Sequence, residues 1–531
     1  MPGSQVGLFS KEYTTRRYAL LWVSIWLVLI FVTWFSRPLI PYQETMLAAV
    51  SWESYASKFY LYPILNGEYV ANVFPLVPWI EVGIWQLTGA SEFSLRAVMS
   101  IFSIGVLFLT GWAAYQLWPD KRYVRGNAPF ILVGSLVWTL FATANISQVW
   151  LVFFLVFAIN FLIRVWRFND ERWWIGFALS VMAGLFASGL YFLCLVMPML
   201  LLTPFWADKK RVARIYVAGL LSILVAVTPF FLWALNVSDA LMGDQSLWTI
   251  MGGRGIISGI YSPIPFYITL LNIGAVLFPW VFWLKLYRFR KSVAHDPELK
   301  FSYLWFFSTL VMLMLLGSTS LVELFALYPA LCLIVARHYV QGYNERRDIL
   351  FIVLVIALIG LLLILIPLNH EFFDLPDWTK NVSVWWGAGL ILFSVTLLVS
   401  ANDTRVFTLM LMSVALTLAI NFGIVRQAAD FYDLEPAGER VSWYQSRGFK
   451  MAHLGNYPGH IHFVGRLTEP LTTIHSVEMY QKFKEENPDA RMIMYISEID
   501  DQLRERIEYW QPFRGRYLVI APISEVKPYA R

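Results

Sequence analysis

Apolar runs of about 20 residues recur along most of the chain, separated by short polar turns. Each is long enough to cross a bilayer core of about 30 Å. About thirteen such segments are read, at approximately 18–35, 94–118, 127–144, 147–164, 172–187, 189–206, 213–235, 263–286, 302–317, 319–338, 348–367, 383–400 and 405–425. This pattern predicts an α-helical polytopic membrane protein. Its longest interruption in the front half, 36–93, holds polar residues where few others occur: Gln43, Glu44, Glu53, Asn66, Glu68, Asn72 and Glu81. A large loop covering the mouth of a helix bundle is expected there, and with it the active site. The pattern changes again after about Gln427. In the tail RMIMYIS and RYLVIAP read as buried strands, while SVEMYQKFKEE and EIDDQLRERIEYW read as helices with polar faces. Alternating strand and helix predicts a small α/β domain over 427–531, after a membrane domain over 1–426.

Charge orients this layout. One set of loops is basic: Lys11, Arg16 and Arg17, then Lys121, Arg122 and Arg125, then Arg164, Arg167 and Arg172, then Lys209 to Arg214, then Lys285 to Lys291, then Arg337, Arg346 and Arg347, then Arg405. The alternate turns carry almost no Lys or Arg. By the positive-inside rule the basic loops and the N-terminus are cytoplasmic, and the large loop lies outside. An odd number of spans then places the C-terminal domain outside as well.

Composition agrees. Of 531 residues, 58% are hydrophobic and only 15% charged, against about a quarter charged in soluble domains. The 24 Trp and 26 Tyr suit interfacial belts. The first apolar run is too long for a cleaved signal peptide and no small-residue cleavage site follows it, so it is expected to remain as an anchor. Cys194 and Cys332 both lie in apolar segments and imply neither a disulfide framework nor a metal site, and no cofactor is called for. The net charge of +5 does not point to nucleic acid, because the basic residues sit in short loops between spans. A transporter or channel is disfavoured. Ionisable residues within the spans are nearly absent, Glu323 being the main exception, and no inverted repeat is visible.

The 36–93 loop carries a resemblance. PYQET, SWES, PILNGEY, NVFPLVPW and GASEFSLR follow one another there. In frame and order they resemble the first large periplasmic loop of the bacterial family 39 glycosyltransferases, which include the aminoarabinose transferases acting on lipid A. The segment GHIHFVGRL in the tail resembles a stretch in a proteobacterial branch of the same family, so the likeness runs over nearly the whole chain. It implies a GT-C-like fold in the bacterial inner membrane. It further implies transfer of a sugar from a polyprenyl-phosphate carrier to an envelope glycolipid, such as lipid A, or a polymer, on the periplasmic face. Such chemistry needs a carboxylate to take a proton from the acceptor hydroxyl, and cations for the leaving phosphate. By resemblance, Glu44 and Gln43 occupy the catalytic positions. Arg254 in IMGGRGIISG, together with Glu53, Asn66 and Glu68, lines the substrate groove.

Several charged positions of the family are neutral here. Gln43 stands where the family has Asp, and a Gln side chain cannot accept a proton near neutral pH. Val73 replaces Lys before the Pro pair, Gln148 replaces Asp, and Ser188, Gly189 and Leu190 replace Lys-Gly-Pro. YSPIPFY stands for a basic, His-bearing run, and Thr319 and Val322 lie nearest an expected Lys and His. Two readings therefore stand: an active transferase, or a catalytically degenerate relative that binds a lipid-linked sugar or partners an active paralogue.

Overall fold

A computed structural model describes residues 15–260, 266–288, 296–318, 320–339, 345–372, 375–401 and 404–526. Of the residues named above, Lys11, Arg290, Lys291, Thr319 and the YSPIP part of YSPIPFY lie outside them. The chain forms two compact units: Met1–Phe35 with Arg96–Ile424, and Ser36–Leu95 with Val425–Arg531.

The first unit is a multi-pass membrane helix bundle. Among the described residues six helices are long and apolar enough to cross a membrane: Glu92–Leu117, Ser147–Phe168, Lys209–Ala240, Pro297–Leu315, Arg346–Leu368 and Arg405–Val425. Leu20–Ser36, Trp173–Ser188, Leu190–Leu201 and Val384–Val399 are shorter apolar helices. Other segments read as continuous spans are broken. The stretch 127–144 is a helix Arg122–Val133, a bend, and a second helix Leu136–Phe141. Tertiary partners make that bend tolerable at membrane depth, because Ser413 donates to the Gly134 carbonyl at 2.6 Å and Trp280 donates to Ser135 Oγ at 3.0 Å. A Cβ on Gly134 would meet the Trp280 ring at 2.6 Å, so only glycine admits this approach. The stretch 263–286 holds a helix Phe266–Val276 followed by tighter turns past Pro279, and 319–338 holds the tighter turn Glu323–Leu327 before the helix Tyr328–Tyr339.

Groups from successive basic loops meet one another. Asp296 pairs with Arg337 at 2.7 Å, lies 3.9 Å from Lys121 and accepts from Trp118 at 3.1 Å. Arg167 pairs with Glu298 at 2.5 Å, Lys285 donates to the Tyr339 carbonyl at 2.5 Å, and Arg405 to that of Glu345 at 3.3 Å. The turns poor in Lys and Arg meet each other likewise. The Leu190 amide donates to the Met251 carbonyl at 3.0 Å, and the Tyr191 and Ser318 hydroxyls lie 2.8 Å apart. Val384–Val399 packs on Arg346–Leu368 through glycine: a Cβ on Gly387 would come 2.3 Å from the Gly360 carbonyl oxygen, the small-residue contact by which membrane helices approach closely.

The second unit is built from both ends of the sequence. Its front part holds the helix Glu44–Ser57, a small hairpin of β1 (Ile64–Leu65) and β2 (Glu68–Tyr69), and the helix Leu76–Thr88. Its rear part is a mixed sheet of β3 (Met451–Leu454), β4 (Thr472–Ile474), β5 (Arg491–Ile496), β6 (Tyr509–Phe513) and β7 (Arg516–Pro522), in the order β4-β3-β5-β7-β6. β3 runs parallel to β4 and β5, while β7 pairs antiparallel with β5 and β6. Both faces are covered, as the period of two in a buried strand requires. Met451, Ile493, Leu518 and Ile520 pack with Ala437, Val441 and Tyr444 of the helix Glu435–Ser446. Ala452, Met492, Met494 and Val519 pack with Tyr480 of the helix Val477–Glu486. The strands read in RMIMYIS and RYLVIAP are present, as is the helix in SVEMYQKFKEE. The helix expected over EIDDQLRERIEYW is confined to Asp501–Arg504, and its last two residues, Tyr509 and Trp510, are the start of β6. Pairing along β7 overrides the local helical pattern there.

Candidate active site

The loop positions singled out above lie in the second unit, and most are engaged within it. Gln43, at the N-cap of the helix Glu44–Ser57, is exposed and makes no side-chain cap. Glu44 follows it and is fully buried. One oxygen of Glu44 pairs with the Arg37 guanidinium and also accepts the Ile40 backbone N–H at 2.9 Å. Arg37 is itself buried, so the pair is a desolvated ion pair that folds the PYQET stretch back on its own helix. Glu53, further along the same helix, accepts the N–H groups of Asn66 at 2.5 Å and Gly67 at 2.6 Å. Burial pushes the Glu53 carboxyl above the usual range, against the lowering by those two amides.

Asn66 explains the LNG of PILNGEY. It turns the β1–β2 hairpin with a left-handed φ of 57°, which Asn tolerates better than most residues, and Gly67 follows at 81°. Its side-chain amide donates to the Leu471 carbonyl at 2.8 Å, and its side-chain oxygen accepts the Leu471 N–H at 2.6 Å. Asn66 thus clasps the backbone of the tail. Glu68 is exposed on β2. Arg254, exposed in the helix Gly253–Ile260, belongs to the first unit. Val73 packs against Ala49, Val50 and Leu65, an apolar setting for a position where a cation is expected.

The GHIHFVGRL segment is the tail's half of the same clasp. Phe463 stacks on Trp85 with centroids 5.4 Å apart and planes 11° apart. The Arg466 guanidinium lies 3.9 Å from the Phe463 ring centroid and donates to the Ala90 carbonyl at 3.3 Å, while Trp52 donates to the Leu467 carbonyl at 2.8 Å. A Cβ on Gly465 would come 2.6 Å from the Gly438 carbonyl oxygen, which accounts for the glycine.

Sequence reasoning missed a cluster of buried histidines beside this clasp. His453, His460 and His462 are each at most 2% exposed. His460 shares a hydrogen bond with the Tyr495 hydroxyl, and His462 lies 3.2 Å from the Tyr457 hydroxyl. His453 reaches the Gly455 carbonyl at 3.2 Å. Burial lowers the three to about 4, 3 and 4 respectively, with the charge of Arg514 adding to the effect at His460. All are therefore neutral at pH 7, and the 3.8 Å contact of His462 with Glu53 is not an ion pair there. The only signal in the sequence was the HIH within the resembling tail segment. The consequence for stability has a definite sign. Unfolded histidine titrates near 6.5. Below that the unfolded chain takes up protons that the folded unit refuses, so the contribution is fully present above about 6.5 and is lost as pH falls toward 4. Three such groups give a slope of at most about 4 kcal/mol per pH unit. The melting temperature is expected to fall between pH 7 and pH 5, and less steeply in His460→Phe. A melt unchanged over that range contradicts this account.

No protein-family model matches the sequence. Among solved structures, ArnT from Cupriavidus metallidurans bound to undecaprenyl phosphate aligns with a TM-score of 0.74 at 15% identity, over 97% of this chain and 99% of that one. The same protein in its apo state aligns at 0.71, also at 15% identity and over the same shares. The chain has the GT-C fold. The apo oligosaccharyltransferase of Archaeoglobus fulgidus aligns at 0.51 with 11% identity, over 91% of this chain and 70% of that one. The likeness to ArnT spans the GT-C bundle and the sheet-bearing tail together.

Proposed function

We propose that this GT-C protein is a membrane glycosyltransferase. It takes a sugar from a polyprenyl phosphate and passes it to a hydroxyl of an envelope glycolipid, such as lipid A, or of a surface polymer. The observation that carries this reading is the end-to-end match to a structure holding undecaprenyl phosphate. The reading places the protein in the bacterial inner membrane with thirteen spans, its N-terminus cytoplasmic and its C-terminal domain periplasmic. The mutual contacts of the basic loops, and separately of the turns poor in Lys and Arg, support that alternation. Domain limits of 1–426 and 427–531, with the loop 36–93, belong to the same reading.

In this mechanism Glu44 is the carboxylate of the PYQET motif that takes the acceptor proton, since Gln43 cannot. Arg254 would hold phosphate oxygens. Glu53 and Asn66 shape the groove through the loop they order, and Glu68 is free to meet a sugar hydroxyl. A second reading rests on specific observations: Glu44 is buried against Arg37, and Val73, half-buried, packs against an apolar cluster. On this view the protein binds the lipid-linked sugar without turning it over, or serves an active paralogue. The deciding experiment gives the purified protein polyprenyl-phosphate sugars and membrane acceptors. Labelled sugar on an acceptor establishes the transferase. Carrier binding with no transfer across donors and acceptors favours the second reading.

A further inference from the structure

Cations are scarce at the motif positions where a leaving phosphate would be met, yet the fold brings the Arg514 guanidinium to that motif from the far end of the chain. β6 and β7 are joined by a two-residue turn, Arg514–Gly515, closed by the Phe513–Arg516 pair. Both turn residues have positive φ, 51° and 78°, as a tight hairpin of this kind requires. Gly515 meets that demand freely, whereas Arg514 is a long side chain in a region that favours Gly, Asn and Asp. Tyr42, immediately before Gln43, is also left-handed, with φ 69°. The two strained residues meet: the Arg514 guanidinium lies 5.0 Å from the Tyr42 ring centroid. The ring is held from beneath by His460 at 5.1 Å and Phe513 at 6.1 Å. Strained bulky residues in contact are the kind of outlier that collects at ligand clamps.

The charge at this spot is uncompensated. Arg514 and Arg516 are exposed, and among the described residues neither takes part in an ion pair. Burial raises the Tyr42 hydroxyl above its usual range, and the charges of Arg514 and Arg516 partly offset this. Gln43, the residue after Tyr42, is exposed and its side-chain amide caps no helix. Elsewhere in the unit a cleft of about 580 Å³ is lined by Glu92, Glu435 and Glu439 with Arg466, which is the wrong sign for a phosphate.

We propose that Arg514 and Arg516, with Tyr42 and Gln43, form a binding site for a phosphate ester carried by a lipid. Two guanidiniums present paired N–H donors to phosphate oxygens, and the phenol and amide complete the shell. The site supplies cations to a unit whose loop has Val73 where one is expected. Its ligand class rests on the transferase reading, since either the carrier's phosphate or the phosphates of a glycolipid acceptor fit the same chemistry.

The test uses the full-length protein in nanodiscs and three probes: undecaprenyl phosphate, undecaprenol and lipid A. Arg514→Gly is the informative change, because glycine relieves the left-handed strain and keeps the turn. It is combined with Arg516→Gln. Wild type is expected to bind at least one phosphorylated probe about tenfold or more tighter than undecaprenol, with the margin shrinking as salt rises. The double variant should lose the margin while holding undecaprenol as before. Loss confined to undecaprenyl phosphate assigns the carrier as ligand, and loss confined to lipid A assigns the acceptor. A margin kept by the double variant, or no phosphate preference in wild type, overturns the site. Failure of the transferase reading looks different: no sugar transfer, with the arginine-dependent margin intact.

Discussion

Glu44→Gln is expected to cost the protein both its chemistry and a large part of its stability, and a second substitution separates the two. Breaking a buried ion pair by removing one partner costs about 3–5 kcal/mol. The remaining partner here is Arg37, at 2% side-chain exposure. If Glu44 also takes the acceptor proton, transfer falls by about 10²–10⁴-fold beyond any loss of folded protein. Pairing Glu44→Gln with Arg37→Leu removes the buried guanidinium as well. The carbonyl of the introduced amide can still accept the Ile40 N–H that Glu44 accepts at 2.9 Å. The double variant should regain most of the melting temperature and none of the transfer. Recovery of transfer along with stability would show that Glu44 only orders the loop, and would move the search for a base elsewhere.

Asn66→Ala is the second large effect, and it is read in folding. The substitution deletes both hydrogen bonds to Leu471, at 2.8 and 2.6 Å, and puts alanine at a φ of 57°. Two lost hydrogen bonds with a backbone left wanting, plus the left-handed penalty, amount to about 2–4 kcal/mol. Asn66→Gly removes the clasp without the strain and should fall between wild type and Asn66→Ala. Limited proteolysis, scored at the loop 36–93, and thermal melts report the order. Equal melting of Asn66→Ala and wild type would mean that the tail is held by the stack of Phe463 on Trp85 without help from this clasp.

Local pattern carried much of the fold and little of the site. Apolar runs announced the bundle, and strands buried on both faces announced β5 and β7. The breaks at Gly134 and Ser135 were hidden because what sustains them, Ser413 and Trp280, lies far along the chain. The β6 strand was hidden because its sequence favours helix and only its neighbour decides otherwise. Within the motif, Arg37 and Glu44 are seven residues apart, and their pairing was within reach of sequence reasoning. The clasp of Asn66 on Leu471 spans 405 residues, and Tyr42 meets Arg514 across a similar interval, so no window of sequence displays either. Resemblance pointed to the right stretches. It named Asn66 as a substrate contact, and the geometry adds a hold on the tail through one amide donor and the side-chain oxygen.

The divided origin of the second unit also sets a schedule for its making. Its front part ends at Leu95 and its rear part begins at Val425, with the stretch Arg96–Ile424 between them. Ribosomes add about 5–20 residues per second, so the front part exists for on the order of tens of seconds before its partner is synthesised. For that time the Trp85 face and the Asn66 amide have no Phe463 and no Leu471 to receive them. A nascent chain stopped anywhere short of Val425 carries half a domain, and only the finished polypeptide can close it.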